Sequence, residues 1–374
     1  MDDLNRWLAL AHAPGLHAGQ LQHWLAQGAS PVDLTRESKP ALAAIGLGHA
    51  AIQALLQPDD GALAMDRGWL HAAPNRSVVT WGSAEYPPLL ARIPDAPLVL
   101  YAEGDTDALC LPQLAIVGSR NPTALGRDTA MQFAQHLARA GLVITSGLAL
   151  GIDAAAHRGA LSVGARTVAV MGRGLDAIYP RENAALAQEI VGRQGALVTD
   201  LAVGTPPLKQ NFPRRNRVLS GLAVGTLVVE AALQSGSLIT ARLAADQGRE
   251  VFAIPGSIHN PMVRGCHRLL RQGARLVESV DDIFAELEPI IGEMKRIATE
   301  NTPAGPALHT PQLDKEYEIL LDALGFEPAG LDMLVVRTGL KAGAVASMLL
   351  ILELEGRVQQ QPGGRFSRRL PGKV

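Results

Sequence analysis

The spacing of apolar residues changes twice along the chain. Up to about Ala73, apolar side chains recur at helical intervals, as at Leu4, Leu8, Leu21 and Leu25, and strand patterns are absent. Two Gly-rich turns in this region each lead into an amphipathic segment, an arrangement typical of SAM-like or helix-hairpin-helix modules. Such turns either bind DNA phosphates or simply cap helices. We therefore predict a small helical domain over residues 1–73.

From residue 77 to about residue 287, short aliphatic and β-branched runs alternate with longer helical segments. This alternation predicts strands joined by crossover helices, and therefore a parallel sheet. Most runs are apolar throughout, as expected when helices cover both faces of the sheet. The predicted strands are Val78–Trp81, Leu98–Tyr101, Leu114–Val117, Leu142–Thr145, Thr167–Met171, Ala196–Thr199, Thr226–Glu230, Val251–Ile254 and Arg275–Val277. We predict an α/β fold over residues 74–290, an extended Rossmann-like doubly wound sheet with its binding crevice at the carboxyl ends of the strands.

The last part of the chain forms a separate pattern. Residues 291–312 are rich in Pro, Thr, Asn and Gly, which predicts a linker. Three helical patterns follow, Leu313–Leu324, Leu331–Thr338 and Ala342–Leu354, and then two short strands around a Pro-Gly-Gly turn. We predict a winged-helix domain over residues 313–374. Every charge after Glu355 is basic, which suits either DNA contact or an ordinary basic tail.

The composition limits the possible functions. Of 374 residues, 47% are hydrophobic and 19% are charged, and the net charge is -2. These values exclude wholesale disorder and a uniformly basic binder, so contact with a polyanion requires a local patch. The chain shows neither a signal-peptide pattern nor an apolar run of ~18 residues, and we expect a cytoplasmic protein without membrane contact. Two cysteines, Cys110 and Cys266, are too few for a disulfide framework or a four-ligand zinc site.

Four Gly- or Ser-rich loops lie between a predicted strand and a predicted helix. They are GSRNPTALG at Gly118, SGLALGID at Ser146, GRGLDAIYPREN at Gly172 and QSGSLIT at Gln234. Unpaired N–H groups at helix N-termini attract phosphates, and several such ends along one sheet edge suit a polyanion. The alternative is that the loops only make tight strand-to-helix turns.

The third loop also matches the dinucleotide fingerprint G-x-G-x-x-A through Gly172, Gly174 and Ala177. Pro180 delays the next helix to about Arg181, so the glycines do not lead directly into a helix N-terminus. We therefore expect no dinucleotide, and no cofactor of any kind.

The strongest local signal is the basic stretch TPPLKQNFPRRNRVLSG. No acidic residue occurs between Asp200 and Glu230. Within this stretch, four cations surround one aromatic residue, namely Lys209, Arg214, Arg215 and Arg217 around Phe212. Cations along the backbone and rings against bases are typical of single-stranded nucleic-acid binding. We predict that Phe212 lies in a loop and stacks on a base, the alternative being a solvated run of charges.

Candidate catalytic groups are few. Asp153 and His157 lie one predicted helical turn apart, just after Ser146, which suits either a Ser-His-Asp arrangement or hydrogen bonds that orient the loop. His259, Cys266 and His267 lack the spacing of metal ligands, so we expect no metal site.

These motifs, taken in order, resemble the bacterial DNA-processing protein A family, DprA, also called Smf. The matching blocks run from AIVGSR, SGLALGIDAAAHRGAL and GRGLDAIYPREN to NFPRRNRVLSGL, VVEAALQSGSLITARLA and GREVFAIPG, and they cover roughly residues 79–283. The resemblance implies a protein that binds single-stranded DNA without hydrolysing it. It also implies a homodimer that helps to load RecA onto DNA in natural transformation and recombination.

The resemblance points to site residues in four of these blocks, and the basic stretch adds Lys209. The residues are Gly118, Ser119 and Arg120; Ser146, Gly147 and Gly151; Phe212, Arg214, Arg215, Asn216 and Arg217; and Ser235, Gly236 and Ser237. No catalytic residue is expected among them.

A different class of protein stays open as an alternative. Rossmann-like proteins of the LOG and lysine-decarboxylase-like group hydrolyse nucleoside monophosphates and carry the motif PGG-x-GT-x-x-E. The segment AVGTLVVEA resembles part of it through Gly225, Thr226 and Glu230, although the Pro-Gly-Gly is missing. In this interpretation Glu230 is an acid/base or ribose-binding group with Arg217 as its partner.

Overall fold

The computed structural model describes residues 3–26 and 28–287, and then 315–324, 329–340, 345, 348–349, 352, 358–361 and 365–368. The chain divides into two compact units, Met1–Lys295 and Arg296–Val374. The predicted linker 291–312 and most of the third predicted helix of the winged-helix domain lie outside the described residues. The predicted boundary between residues 73 and 74 stays a prediction.

The N-terminal region is helical, as predicted. Its helices are α1 (Asp3–Ala11), α2 (Gln22–Ala26), α3 (Lys39–Ala44), α4 (His49–Leu56) and α5 (Asp60–His71). Helix α5 begins where the Asp59 carboxylate accepts hydrogen bonds from the backbone N–H groups of Gly61 and Ala62, at 2.9 and 3.1 Å. Leu8, Leu21, Leu34 and Leu42 are fully buried, in an apolar cluster that also includes residues of the sheet that follows.

A nine-stranded sheet follows, and each predicted strand is present. The strands are β1 (Arg76–Thr80), β2 (Val99–Gly104), β3 (Gln113–Gly118), β4 (Val143–Ser146), β5 (Thr167–Val170), β6 (Ala196–Thr199), β7 (Gly225–Val229), β8 (Glu250–Ala253) and β9 (Arg275–Leu276). Their order is β1-β2-β6-β5-β4-β3-β7-β8-β9.

The sheet is parallel from β6 to β9, which confirms the Rossmann-like prediction. Strands β1 and β2 differ, because β1 pairs with β2 and β2 with β6 in the antiparallel sense. The physical reason is the connection between β1 and β2, which contains only the short 3-10 helix Leu90–Arg92 and no crossover helix.

Helices cover both faces of the sheet. They are α6 (Ala124–Arg139), α7 (Ile152–Ser162), α8 (Ala184–Gly192), α9 (Asn211–Leu222), α10 (Ser237–Asp246), α11 (Arg264–Arg271) and α12 (280–287). Strand β3 shows why the runs are apolar throughout. Leu114 and Ile116 belong to one buried cluster, while Ala115 and Val117 belong to the other.

The parallel strand order reverses direction at β3. Strands β4, β5 and β6 lie on one side of β3, and β7, β8 and β9 lie on the other. Helix α6, which follows β3, packs on one face of the sheet, and α10, which follows β7, packs on the other. In open α/β sheets the binding crevice is expected at such a point, at the carboxyl ends of the strands. No helix among the described residues is long and apolar enough to span a membrane.

The C-terminal unit contains helices α13 (Lys315–Leu324) and α14 (Leu331–Thr338), with strands β10 (Ala329–Gly330), β11 (Val358–Gln361) and β12 (Arg365–Arg368). The strands form a small antiparallel sheet in the order β10-β12-β11. Leu320, Leu334 and Leu352 are fully buried together with Val358 at 2% exposure. The predicted helices and the strand pair are thus present where the structure describes them.

Candidate nucleic-acid interface

The loop after β3 is held by its own backbone. The N–H of Ser119 donates to the carbonyl of Glu230 at 2.7 Å, and the N–H of Asn121 donates to the Ser119 hydroxyl at 3.1 Å. Ser119 is buried, whereas the next residue, Arg120, is exposed. Strand β3 ends at Gly118, and Arg120 follows two residues later. The loop therefore exposes the Arg120 cation at the carboxyl end of β3.

The loop after β4 is tied to its neighbours. The Ser146 hydroxyl donates to the carbonyl of Ile116 at 2.6 Å. The N–H groups of Gly147 and Ala149 donate to the Asp153 carboxylate at 3.1 and 3.3 Å. Gly151 has φ 83°, and a side chain there would collide with the Ser119 carbonyl, so the two loops can meet only through a glycine.

Four backbone N–H groups of the first two loops already have partners inside the protein. Backbone N–H groups of the first two loops were expected to face phosphates, but those of Ser119, Asn121, Gly147 and Ala149 already donate within the protein. An N–H group with an internal partner gives up that hydrogen bond if it turns to a phosphate. These four N–H groups are therefore not free to bind a phosphate, and the phosphate-binding role of the loops stays a prediction.

The Ser-His-Asp arrangement is not formed. His157 Nδ1 lies 2.7 Å from the Thr167 hydroxyl, which itself donates to the Ile144 carbonyl, so the imidazole is the donor. Burial lowers the pKa of His157 to about 3, with the positive charge of Arg215 acting in the same direction. Burial raises the pKa of Asp153, opposed by Arg215 and by two backbone N–H groups. The second interpretation fits Asp153, whose carboxylate holds the loop after β4, whereas His157 contacts the strand residue Thr167.

Phe212 is the second residue of α9, so the prediction that it lies in a loop is wrong. Pro213 is compatible with this position because a first-turn residue needs no N–H partner. The Phe212 ring is half-buried against Gly172, where a side chain would come within 2.8 Å of its Cδ1 atom. The Arg120 guanidinium lies 5.7 Å from the ring centroid, within cation-π range.

Three arginines of α9 have different surroundings. Arg215 is buried, at 5% exposure. Its guanidinium donates to the carbonyl of Val170 and, at 2.8 Å, to the carbonyl of Gly147. Its Nε donates to Asn216 Oδ1 at 3.1 Å. Burial lowers the pKa of Arg215 to about 10, partly offset by Asp153, so it stays charged at neutral pH. Arg215 thus supports the crevice from inside.

Asp200 partly neutralises the basic stretch. Its Oδ2 atom accepts from Arg217 at 2.5 Å and from Arg214 Nε at 3.3 Å. Arg217 is buried and also pairs with Asp95 at 3.5 Å, whereas the Arg214 side chain is 43% exposed. Lys209 is exposed as well. The accessible cations of the predicted set are therefore Arg120, Lys209 and Arg214.

The loop after β7 closes on itself. The Ser235 and Ser237 hydroxyls lie 2.5 Å apart, and the N–H of Ser237 donates to Ser235 at 3.3 Å. Gly236 is exposed at the start of α10. Within the described part of the chain, no hydrogen bond, ion pair or ring contact joins this loop to Arg120 or Phe212.

Glu230 lies at the point where the strand order reverses. Its carboxylate accepts from the backbone N–H of Thr123 at 2.8 Å and from the Thr123 hydroxyl at 2.6 Å. Thr123 is the N-cap of α6, so both Glu230 oxygens are engaged at a helix N-terminus. The backbone of Glu230 has φ 49°, a strained value for a residue with a side chain.

No group of three or more metal-ligating side chains is present in the ranges that the structure describes. His267 Nε2 lies 3.0 Å from the Gly256 carbonyl, and Cys266 is buried. The third loop reaches α8 only after the 3-10 turn Arg181–Asn183, so its glycines do not lead directly into a helix N-terminus.

Sequence reasoning missed two residues of this region. Tyr179 lies beside Phe212, with ring centroids 5.8 Å apart, and an aromatic before a proline in a Gly-rich loop was the available signal. Asp66 of α5 accepts hydrogen bonds from Tyr101, His12 and the N–H of Val203, at 2.8, 2.7 and 3.0 Å. Nothing local in the sequence marks Asp66, because its partners are distant along the chain.

Comparison with known proteins agrees with this architecture. Residues 77–288 match the family described as DNA recombination-mediator protein A, and residues 303–364 match the DprA winged helix domain. Protein Smf of Escherichia coli is 40% identical over 367 residues, which span 97% of this chain and 96% of that protein. DNA processing protein DprA of Streptococcus pneumoniae is 46% identical over 203 residues, or 54% of this chain and 71% of that protein.

Two solved structures are similar. DNA processing protein A of Streptococcus pneumoniae superimposes with a TM-score of 0.65 at 37% identity, covering 76% of this chain and 99% of that one. DNA processing protein A of Helicobacter pylori, whose structure describes a single-stranded DNA binding mode, gives a TM-score of 0.52 at 31% identity, covering 57% and 96%. The sheet, the crevice and these matches together show that the chain belongs to the DNA recombination-mediator protein A family, also known as DprA or Smf.

Proposed function

We propose that this protein binds single-stranded DNA along the crevice at the carboxyl ends of β3 to β6 and leaves the strand uncut. The observation that carries the proposal is the exposed guanidinium of Arg120 lying 5.7 Å from the ring of Phe212. The cation can bind a backbone phosphate while the aromatic ring stacks on a base, and binding of this kind has no sequence preference. The Helicobacter pylori relative binds single-stranded DNA, which supports the same ligand here.

The predicted site residues take two roles in this proposal. Exposed side chains contact the strand, with Arg120, Lys209 and Arg214 on phosphates and Phe212 against a base. The buried and half-buried residues hold the loops in place, and Gly236 offers backbone at a helix start. The positioning residues are Gly118, Ser119, Ser146, Gly147, Gly151, Arg215, Asn216, Arg217, Ser235 and Ser237.

The engaged state of the candidate catalytic groups supports binding without cleavage. The Ser146 hydroxyl donates to a carbonyl, and both oxygens of Glu230 accept from Thr123. A phosphoribohydrolase would need Glu230 free to contact a ribose, so this alternative is not favoured. Labelled strands incubated with magnesium should stay full length, and nucleoside monophosphates should release no free base.

Family membership supports two further proposals, one on the oligomeric state and one on RecA. The protein acts as a homodimer, and it helps RecA to load onto the bound strand in natural transformation and recombination. Light scattering tests the homodimer. For the second step, RecA filament formation on a strand covered by single-strand binding protein should be faster when this protein is added, and an unchanged rate would contradict it.

The decisive experiment is a titration against single- and double-stranded oligonucleotides of equal length at several salt concentrations. We expect tighter binding to the single strand and a logarithmic affinity that falls linearly with the logarithm of salt concentration. Equal affinity for both, or binding that ignores salt, would contradict the proposal.

A further inference from the structure

Tyr179 offers the most exposed aromatic surface of the crevice. It is 42% exposed and lies in the segment between β5 and α8. Its ring centroid is 5.8 Å from that of Phe212, and the two planes are inclined by 48°. Phe212 itself is half-buried, with Gly172, Arg120 and Tyr179 around its ring. The free aromatic surface of this cluster therefore belongs mainly to Tyr179.

The segment that carries Tyr179 is anchored on both sides. The Asn183 side-chain amide donates to the carbonyls of Leu148 and Ala149, at 2.8 and 3.2 Å. The Asp176 carboxylate accepts from the N–H of Gly204 at 2.8 Å. A ring held on an anchored segment loses little conformational entropy when a ligand stacks on it.

The fold gives Tyr179 no other evident task. In the part of the chain that the structure describes, its hydroxyl makes no hydrogen bond, so the side chain is not held for its polar end. Arg181, two residues further on, is also exposed and forms no ion pair within the described ranges. Arg181 follows Tyr179 by two residues, and Arg120 lies against the neighbouring ring of Phe212. This arrangement matches the pattern of a base platform flanked by phosphate-binding cations.

We propose that Tyr179 is a second base-stacking residue of the interface, taking one nucleobase next to the base held at Phe212. This inference rests on the proposed function, because it places a further contact in the same crevice. Stacking on an aromatic side chain changes single-strand affinity by a factor of about 5 to 150 per base.

The test compares Tyr179→Leu with Tyr179→Phe on two labelled strands of equal length, an oligothymidylate and an abasic analogue. Tyr179→Phe should bind like the wild type, whereas Tyr179→Leu should bind oligothymidylate about 10-fold more weakly and the abasic strand equally well. Equal losses on both strands, or no loss, would overturn the inference while leaving the proposed function intact. Failure of the wild type to bind oligothymidylate would instead overturn the proposed function and this inference with it.

A second measurement needs no variant. A strand containing 5-iododeoxyuridine is irradiated in complex with the wild-type protein, and the cross-linked peptides are identified by mass spectrometry. The peptide that contains Tyr179 should carry an adduct. Adducts confined to other peptides would show that no base reaches Tyr179.

Discussion

Replacing Arg215 with alanine is expected to destabilise the fold by about 3–5 kcal/mol, the range for breaking a buried charged network. The guanidinium is buried and donates to the carbonyls of Gly147 and Val170 and to Asn216 Oδ1. Each buried acceptor left without a donor costs about 1–3 kcal/mol. The variant also removes the positive charge that opposes the raised pKa of Asp153.

The matched substitution, Arg120→Ala, should act on binding instead. Arg120 is exposed, and the contact that it loses inside the protein is the one to the Phe212 ring, which is worth about 0.5–1 kcal/mol. If Arg120 contacts one phosphate of a single strand, the slope of log affinity against log salt should fall by about 0.7. Arg120→Lys keeps the charge and should keep most of the slope.

Urea denaturation and salt-resolved titrations with a single-stranded oligonucleotide measure both effects on the same preparations. An Arg215→Ala protein with wild-type stability and a reduced salt slope would refute the positioning role, because it would place Arg215 on a phosphate. An Arg120→Ala protein with an unchanged slope would remove Arg120 from the interface.

Four further substitutions test other parts of the structure. Phe212→Ala should weaken single-strand binding by about 1–3 kcal/mol and cost less stability than the roughly 3–5 kcal/mol of a core phenylalanine; a stability loss with normal affinity would contradict the base contact. Glu230→Gln should destabilise the protein by about 1–3 kcal/mol in urea melts, because a charge-assisted cap of α6 is lost; wild-type stability would show that the cap contributes nothing. Asp66→Asn should cost a similar ~1–3 kcal/mol because a buried acceptor with three donors is altered, and an unchanged urea midpoint would argue against it. The pKa of His157 is lowered from 6.5 to about 3, so only the unfolded state binds its proton in this window and stability falls with falling pH. Between pH 6.5 and about 3, the wild type should therefore lose up to ~1.4 kcal/mol of folding stability per pH unit more than His157→Gln. Parallel pH profiles of stability would contradict this.

The sheet could be predicted because buried parallel strands require continuous apolar runs. Leu114–Val117 illustrates this, since its side chains enter two apolar clusters on opposite faces. The direction of β1 and β2 could not be predicted in the same way. An apolar run carries no information about whether its neighbour is parallel, and the helix-free connection after β1 was the available clue.

The site was predictable as a set of loops, whereas the state of each side chain was not. The stretch containing Arg215 and Arg217 shows no nearby acid in sequence, yet Asp200 and Asp95 pair with Arg217 in the fold. Burial of a cation depends on such distant partners. Local sequence patterns register charge and spacing, so they could not separate the exposed Arg120 from the buried Arg215.

In the proposed function, Glu230 favours an extended strand over a dinucleotide at this edge of the sheet. In dinucleotide-binding sheets, the pyrophosphate lies at the N-terminus of a helix beside the point where the strand order reverses. Here the Glu230 carboxylate already accepts from the N-cap residue of α6, and Asp153 accepts from the loop before α7. Carboxyl oxygens at both places thus accept from the N–H groups that a pyrophosphate would need. The proposed strand therefore has its phosphates farther out, near Arg120, Lys209 and Arg214. These cations lie on separate segments, so a chain of several phosphates can contact several of them at once.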